Sequence, residues 1–528
     1  MHSVPPTPMR GGMQAYVPAL FFVAASLFIV AVLGTAQILP RVSDDAYYYF
    51  VVARNVALHG YSEFTPGVPT NGYHPLWMLV LAATGWLFGF ELATFRVLEI
   101  LVVGLGLAAF VRLFDIRGLP SALFCTFAVW YVVRSFALNG METSLLVPAF
   151  VLFAAACMST HGWVERHRAW LLFLSAAMCI GTRLDSALFV LPALVAAPAP
   201  LRAKMRVMAG LAACGAAYAG INKLLFDAVL PVSGTIKSLG GLQWNERYAS
   251  QISSGFDLNG LVTLNSQVAL FIAPLLALAI AAWAGRAADA DRRVLRFIVA
   301  GIVGLALSTI KLLFFSSWQV WAWYSYPLLW FTLPGVLLVD RRLCHSGRYR
   351  AWALAIGLVL VGYFLYNNLR PRSADYAEIN REFLARHAAL LGKAPVAMGD
   401  RAGSFAYYYA GSVYQLEGLV NDAAYLKLLR AGGDLRPHLC ARGISYVLDY
   451  EVPLAGSYAA HRIEILRPRL TTFRGPYIDV RQDEEVAFHD NLSRYDNRAY
   501  DEGDYRLYLW RLDCETSRGS HVMTSPLK

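Results

Sequence analysis

Pro75-Leu-Trp-Met-Leu-Val-Leu-Ala-Ala-Thr-Gly-Trp-Leu-Phe-Gly-Phe90 is the stretch on which the fold turns. It is apolar throughout, yet it gives way to Glu91 after about 15 residues, short of the roughly 20 that a helix needs to cross a hydrocarbon core. Its two indoles, Trp77 and Trp86, are of the type that collects at the membrane–water boundary. Whether the segment crosses sets the side on which every later residue lies.

On either side of it, about eleven other apolar runs meet the spanning criterion. They fall near residues 15–37, 95–112, 119–138, 144–160, 168–182, 185–200, 207–226, 264–285, 294–316, 320–339 and 351–367. The first is too long for a signal-peptide core and has no small-residue cleavage site after it, so it reads as a retained helix. If Pro75–Phe90 stays on one side, five basic clusters share a face: Arg112/Arg117, Arg166/Arg168, Arg202/Lys204/Arg206, Arg286/Arg292/Arg293 and Arg341/Arg342/Arg348/Arg350. The positive-inside bias makes that face cytoplasmic. If the segment crossed, all five would move outside while Arg10 stayed within. The expectation is therefore an interfacial or re-entrant helix over 75–90.

Composition agrees. Of 528 residues 57% are apolar and 16% charged, with a mean hydropathy of +0.45, which excludes an ordinary soluble domain. The net charge of +10 sits in short clusters between apolar runs rather than in a continuous stripe, so no nucleic-acid partner is expected. The seven cysteines show no C-x-x-C spacing, and neither a zinc nor a dithiol motif is supported. Cys125, Cys157, Cys179 and Cys214 lie in apolar runs as small hydrophobes. Cys440 and Cys514 lie in the polar C-terminal third, where an oxidising compartment would allow a disulfide, and the sequence leaves that pairing open.

With this topology the polar segments that carry chemistry share the outer face: the loop 41–75, Asn139-Gly-Met-Glu-Thr143, Thr182-Arg-Leu-Asp185, the loop from Asp227 to Thr263, and everything after Asn367. Ser43-Asp44-Asp45-Ala-Tyr-Tyr-Tyr-Phe50 is the strongest local feature. Adjacent carboxylates raise each other's proton affinity, and partial burial adds to this, which poises a general base; the same residues also suit a helix N-cap and its dipole. His74, in Thr70-Asn-Gly-Tyr-His-Pro-Leu-Trp77, reads as a second acid/base, a sugar ligand or a structural histidine of the aromatic belt. Glu142, Arg183 and Asp185 lie at span ends, where ionisable groups pair or line a cavity. Lys237, in Pro231-Val-Ser-Gly-Thr-Ile-Lys237, and Lys311 offer point charges for phosphate or snorkel. Tyr48 and Tyr324 stand among many aromatics on this face.

The acidic pair in the first outer loop, the Pro-Leu-Trp interfacial helix, about eleven spans and an outer C-terminal region together resemble the GT-C membrane glycosyltransferases, over most of the chain. More narrowly, Asp44-Asp45-Ala-Tyr, Gly140-Met-Glu-Thr143, Pro231…Lys237, Asp400-Arg-Ala-Gly403 and Glu417-Gly-Leu-Val-Asn421 look like bacterial arabinofuranosyltransferase-related and mannosyltransferase-like members. The resemblance implies a polyprenyl-phosphate-sugar donor, arabinofuranose ahead of a hexose such as mannose, and a glycan, lipid-linked or glycoprotein acceptor. It further implies a bacterial inner membrane with the site on the periplasmic side. By carry-over Asp44 is the first choice for the base with Asp45 its partner, and Lys237 meets the donor phosphate. This sequence has Val-Ser-Gly-Thr where a Pro-Asn-Thr stretch is commoner. No D-x-D or clustered His and carboxylates call for a divalent metal, and no cofactor is expected.

The expected domains are 1–367 (membrane catalytic), 368–514 (periplasmic α/β, with strands at Pro395–Met398, Ser445–Asp449 and Tyr505–Leu512 and a helix at Ala423–Arg430) and a polar tail 515–528. A transporter or flippase of lipid-linked sugars is the competing class; it predicts internal repeats and mid-membrane charges, and the sequence shows no repeat.

Overall fold

A computed structural model describes residues 13–34, 38–256, 266–284, 289–370, 376–450, 460–466, 475–490 and 506–514. The expected tail 515–528 lies outside the described residues.

The chain opens with α1 (Val17–Leu33) and then α2 (Asp44–His59), whose first turn carries Asp44 and Asp45 at the positive end of the helix dipole. Gly60 ends α2 in the left-handed conformation at φ 74°, which suits a residue without Cβ. The decisive segment forms α3 (Pro75–Phe88), started by a proline in its first turn and only 14 residues long. At 1.5 Å per residue it spans about 21 Å, too little for a core of about 30 Å. Trp77 is fully buried while Trp86, Leu87 and Phe88 are exposed, an arrangement that suits a helix lying at the boundary with one end against lipid.

The bundle continues through α4 (Leu92–Leu113), α5 (Leu119–Val133), α6 (Thr143–Met158), α7 (Gly162–Thr182), α8 (Ala187–Ala196) and α9 (Leu201–Phe226). After two short helices, α10 (Val232–Lys237) and α11 (Glu246–Gly255), it resumes with α12 (Ser266–Ala284), α13 (Asp289–Phe314), α14 (Leu329–Leu343) and α15 (Gly347–Leu369). Each of the eleven expected spans falls on a helix, but length divides them. Among the described residues five helices are long and apolar enough to cross a membrane, or six if α6 and α7, bent by 116°, count as one broken span. The other expected spans fall on apolar helices of 10–17 residues, so the count of eleven stands only as an expectation. For α8 the limit is local: Pro198 and Pro200 follow its end at Ala196, and proline cannot continue a helix.

The C-terminal part is α/β: α16 (Tyr376–Leu391), β1 (Val396–Met398), α17 (Ala402–Tyr408), β2 (Val413–Gln415), α18 (Ala423–Ala431), β3 (Gly433–Asp434), α19 (Arg436–Ala441), β4 (Tyr446–Tyr450), β5 (Ala460–Glu464), β6 (Pro476–Arg481), β7 (Glu485–Asp490) and β8 (Arg506–Arg511). A five-stranded mixed sheet has the order β2-β1-β4-β8-β7, and a small second sheet β3-β6-β5. The expected strands and the Ala423 helix are all present, shifted by one or two residues at their ends. Cys440 and Cys514 are joined across a separation of 74 residues.

Two large hydrophobic clusters organise the described residues, beside a small third one of Tyr248, Leu312 and Val320. One fills the helix bundle. The other joins α2 and α3 to the C-terminal sheet, with Tyr47, Phe50 and Trp77 in the same cluster as Phe405, Tyr414 and Trp510. The helix that bears the acidic pair is thus packed between the bundle and the α/β region.

Candidate active site at the junction of bundle and sheet

A cavity of about 60 Å³ opens where α2, α3, the 139–143 corner, α10 and the C-terminal region meet. Its wall includes Asp45, Tyr48, His74, Glu142, Arg183, Lys237 and Tyr324. Seven of the ten residues singled out from sequence are therefore gathered in one place. Asp44, Asp185 and Lys311 do not line it.

The 139–143 corner is built to hold Glu142. Gly140 sits at φ 86°, and a Cβ there would meet Ala46 at 2.4 Å, so only glycine lets α2 pass this close. Trp77 Nε1 donates to Gly140 O at 3.1 Å. From below, Glu99 accepts from Gly140 N at 2.8 Å and from Ser144 Oγ at 2.7 Å, and it pairs with Arg96. The corner's other end is tied to the acidic loop by Ser43 N donating to Asn139 O.

Glu142 is fully buried and holds three partners. Arg183 pairs with one oxygen at 2.5 Å, the Tyr49 hydroxyl donates to the other at 3.2 Å, and His74 Nε2 stands 3.8 Å away. Arg183 also pairs with Asp185 at 2.8 Å and lies over the rings of Tyr324 and Tyr326. This two-carboxylate, two-tyrosine cradle is what a buried guanidinium requires. Asp185 therefore fixes Arg183 from behind. Leu184 N donates to His74 Nδ1 at 3.3 Å, leaving Nε2 as the ring's N–H, directed at Glu142. Burial lowers the His74 pKa, which keeps the imidazole neutral near pH 7.

Lys237 reaches the cavity from α10, and that short helix is positioned by Asn71. The Asn71 side chain accepts from Val232 N at 3.0 Å and donates to Asn222 and to Leu230 O. Ser317 N caps Lys237 O at 2.9 Å. Burial acts to lower the lysine's pKa, but Tyr324 and Asp45 outweigh it and the net shift is upward. Lys237 is thus a protonated cation beside Asp45.

The two aspartates part company. Asp45 lines the cavity. Asp44 accepts from Ser404 N at 3.1 Å and from Ser404 Oγ at 2.5 Å. Burial pushes its pKa up to about 7, against the opposing pull of those two hydrogen bonds. The contact is close because Gly403 has no Cβ; one there would fall 2.7 Å from Asp44 O. Burial, with the negative charges of Asp44, Glu417, Asp45 and Asp400 around it, drives the Tyr48 pKa well upward. Leu419 and Val420 close the cavity from the C-terminal side, where Gly72 approaches Leu419 O so nearly that a Cβ would lie 1.9 Å from it.

Lys311 is exposed and acts only at a distance, on Asp185. Lys223 pairs with Asp227 on the surface. Sequence reasoning missed Ser404, Glu99 and the positioning role of Asn71. Of these only Glu99, an ionisable residue within an apolar run, carried a signal. Among the described residues no three His, Cys, Asp or Glu side chains gather as metal ligands would.

No protein-family model matches the sequence, and no curated protein matches it. Solved structures do. The chain is similar to the mycobacterial arabinofuranosyltransferase AftD, with 17% identity and a TM-score of 0.43 over 82% of this chain and 35% of that one. It is similar to ArnT from Cupriavidus metallidurans bound to undecaprenyl phosphate, with 13% identity and a TM-score of 0.39 over 83% and 94% of the two chains. A third is the arabinosyltransferase EmbB from Mycobacterium smegmatis, with 13% identity and a TM-score of 0.38 over 87% and 46%. These are GT-C glycosyltransferases. The chain spans about a third of the length of the AftD chain it matches. At such identities and TM-scores, the chemistry of this chain has to stand on its own residues.

Proposed function

We propose that the protein is a GT-C glycosyltransferase that moves a sugar from a polyprenyl phosphate to a hydroxyl of a glycan, lipid-linked or glycoprotein acceptor, on the periplasmic face of a bacterial inner membrane. The observation that carries this reading is one cavity wall holding the carboxylate of Asp45, the cations of Lys237 and Arg183, and the rings of Tyr48 and Tyr324, at the mouth of a bundle of apolar helices.

Asp45 takes the proton from the acceptor hydroxyl as that oxygen bonds the anomeric carbon. The bond from that carbon to the phosphate oxygen breaks, and its electron pair leaves with the lipid phosphate, whose charge Lys237 meets. Arg183 is largely committed to Glu142 and Asp185, so it lends field and shape more than a direct contact. His74, Glu142 and the tyrosines offer hydrogen bonds and ring faces to the sugar. The order of preference drawn from sequence is thereby reversed: Asp45 is the base, and Asp44, held by Ser404, is its positioning neighbour. Transfer needs no divalent metal in this scheme, and the sugar is arabinofuranose ahead of mannose.

A lipid-borne donor fits the surroundings. Leu224, Leu225, Val229 and Leu230, just before α10, are all exposed, and α9 buries only 6% of its apolar window in the bundle. An isoprenoid chain can approach Lys237 along that apolar edge. The Cys440–Cys514 disulfide supports an oxidising, non-cytoplasmic side.

The test is transfer by purified, reconstituted protein from radiolabelled polyprenyl-phosphate sugars offered one at a time, with a chelator present. Product from one donor with the chelator is expected. Labelled lipid moving between leaflets with no glycoside formed would instead identify a flippase.

A further inference from the structure

A second cavity of about 190 Å³, sharing no lining residue with the candidate active site, is lined by Arg41, Arg96, Arg134, Trp130, Asn139 and Asn367 among others. None of its lining residues is acidic. Arg41 lies four residues before Asp45, which lines the first cavity, so the two cavities are close along the chain.

The three guanidiniums are differently engaged. Arg41, 9% exposed, donates to Asn367 O and Asn368 O, each at 3.1 Å. Arg96, 6% exposed, pairs with Glu99 at 3.4 Å and donates to Leu138 O. Arg134 lies over the rings of Tyr131 and Tyr363, at 4.4 and 4.8 Å. Its Nε is buried with no hydrogen-bond partner among the described residues. The same holds for Nε1 of Trp130, a residue only 1% exposed that also lines the cavity.

Buried N–H donors without acceptors, one of them on a guanidinium, are costly. Cations gathered around this cavity also run against the bias that places them on the opposite face. One kind of ligand answers both: a compact oxyanion. Planar guanidiniums set around a space of this size match a phosphate group, with the indole N–H as an additional donor.

We infer that the Arg41–Arg96–Arg134–Trp130 cavity is a second anion site that binds a phosphate group, separate from the site of transfer. Phosphate reaches this depth either as the headgroup of an anionic phospholipid or as a free ion. Through Arg96 and Glu99 the bound anion contacts the base of the corner that holds Glu142.

The inference does not depend on glycosyl transfer, because its test reads binding. Full-length protein, delipidated in detergent, is titrated with inorganic phosphate, with phosphatidylglycerol in mixed micelles, or with phosphatidylcholine, and thermal unfolding is followed. A ligand that binds only the folded state raises the melting temperature. Wild-type protein is expected to be stabilised by phosphatidylglycerol or phosphate in preference to phosphatidylcholine; a response to phosphate identifies a free ion, and a response to phosphatidylglycerol alone identifies a lipid headgroup. Arg134→Gln should weaken the apparent affinity about tenfold or more, the loss of one charge-assisted contact. Trp130→Phe should weaken it less, and Arg134→Lys should restore part of it. Melting without ligand shows whether each variant folds. Equal stabilisation of wild type and of folded Arg134→Gln, or no stabilisation by either anion, would overturn the assignment.

Discussion

The sharpest residue-level feature is the division of labour between two adjacent aspartates. Asp44 is raised to about pH 7 from 3.8, so between about pH 4 and 7 the native state binds a proton that the unfolded chain has released. Its contribution then makes stability fall as pH rises through that window, with the full penalty present above about pH 7. Asp44→Asn, which can still meet Ser404, removes the titration. Its melting temperature should change less between pH 5 and 8 than that of wild type, the difference corresponding to a few kcal/mol at most; identical pH profiles would contradict the burial of this carboxyl. Gly72 gives a second residue-scale test. A Cβ 1.9 Å from Leu419 O must displace backbone, so Gly72→Ala should cost about 1–3 kcal/mol and lower transfer activity. Unchanged melting and turnover would mean that the C-terminal region does not close on the cavity.

At the scale of elements, α3 decides the sides. Its 14 residues were legible as too few to cross, and the basic clusters supplied the parity. Reporter fusions after Arg117 and after Gly140 should therefore lie on opposite sides of the membrane, and with α3 non-spanning the Arg117 fusion is cytoplasmic. A periplasmic Arg117 fusion would require α3 to cross. The strands β1, β4 and β8 and the helix α18 were equally legible, because alternation and apolar runs survive in short elements. The lengths of the membrane helices were not: the expected spans 119–138 and 185–200 run on past the ends of α5 and α8, because apolar residues continue after the helix has stopped. The pairing of β8 between β4 and β7, a long-range choice, had no local signal.

For the whole molecule, the common core of α2, α3 and the sheet makes the C-terminal region part of the site rather than an appendage. Much of the site was visible in sequence because ionisable residues in an apolar chain are few and expensive. Which aspartate faces the cavity was not, since neighbours on a helix differ by about 100° in direction and only Ser404, 360 residues away, decides it. Cys440–Cys514 closes a loop long enough that Cys440→Ser should cost about 2–5 kcal/mol. The check is thermal unfolding of the oxidised wild type against the variant, with equal melting counting against a formed disulfide.

Whether Asp45 is the base of a glycosyl transfer is decided by parallel kinetics of Asp45→Asn and Asp44→Asn with a labelled polyprenyl-phosphate sugar. Removing a general base costs on the order of 10²–10⁴ in rate. With Asp45 as the base, Asp45→Asn is expected to lose turnover on this scale with the donor still bound, while Asp44→Asn loses less. Turnover by Asp45→Asn equal to wild type would contradict that role.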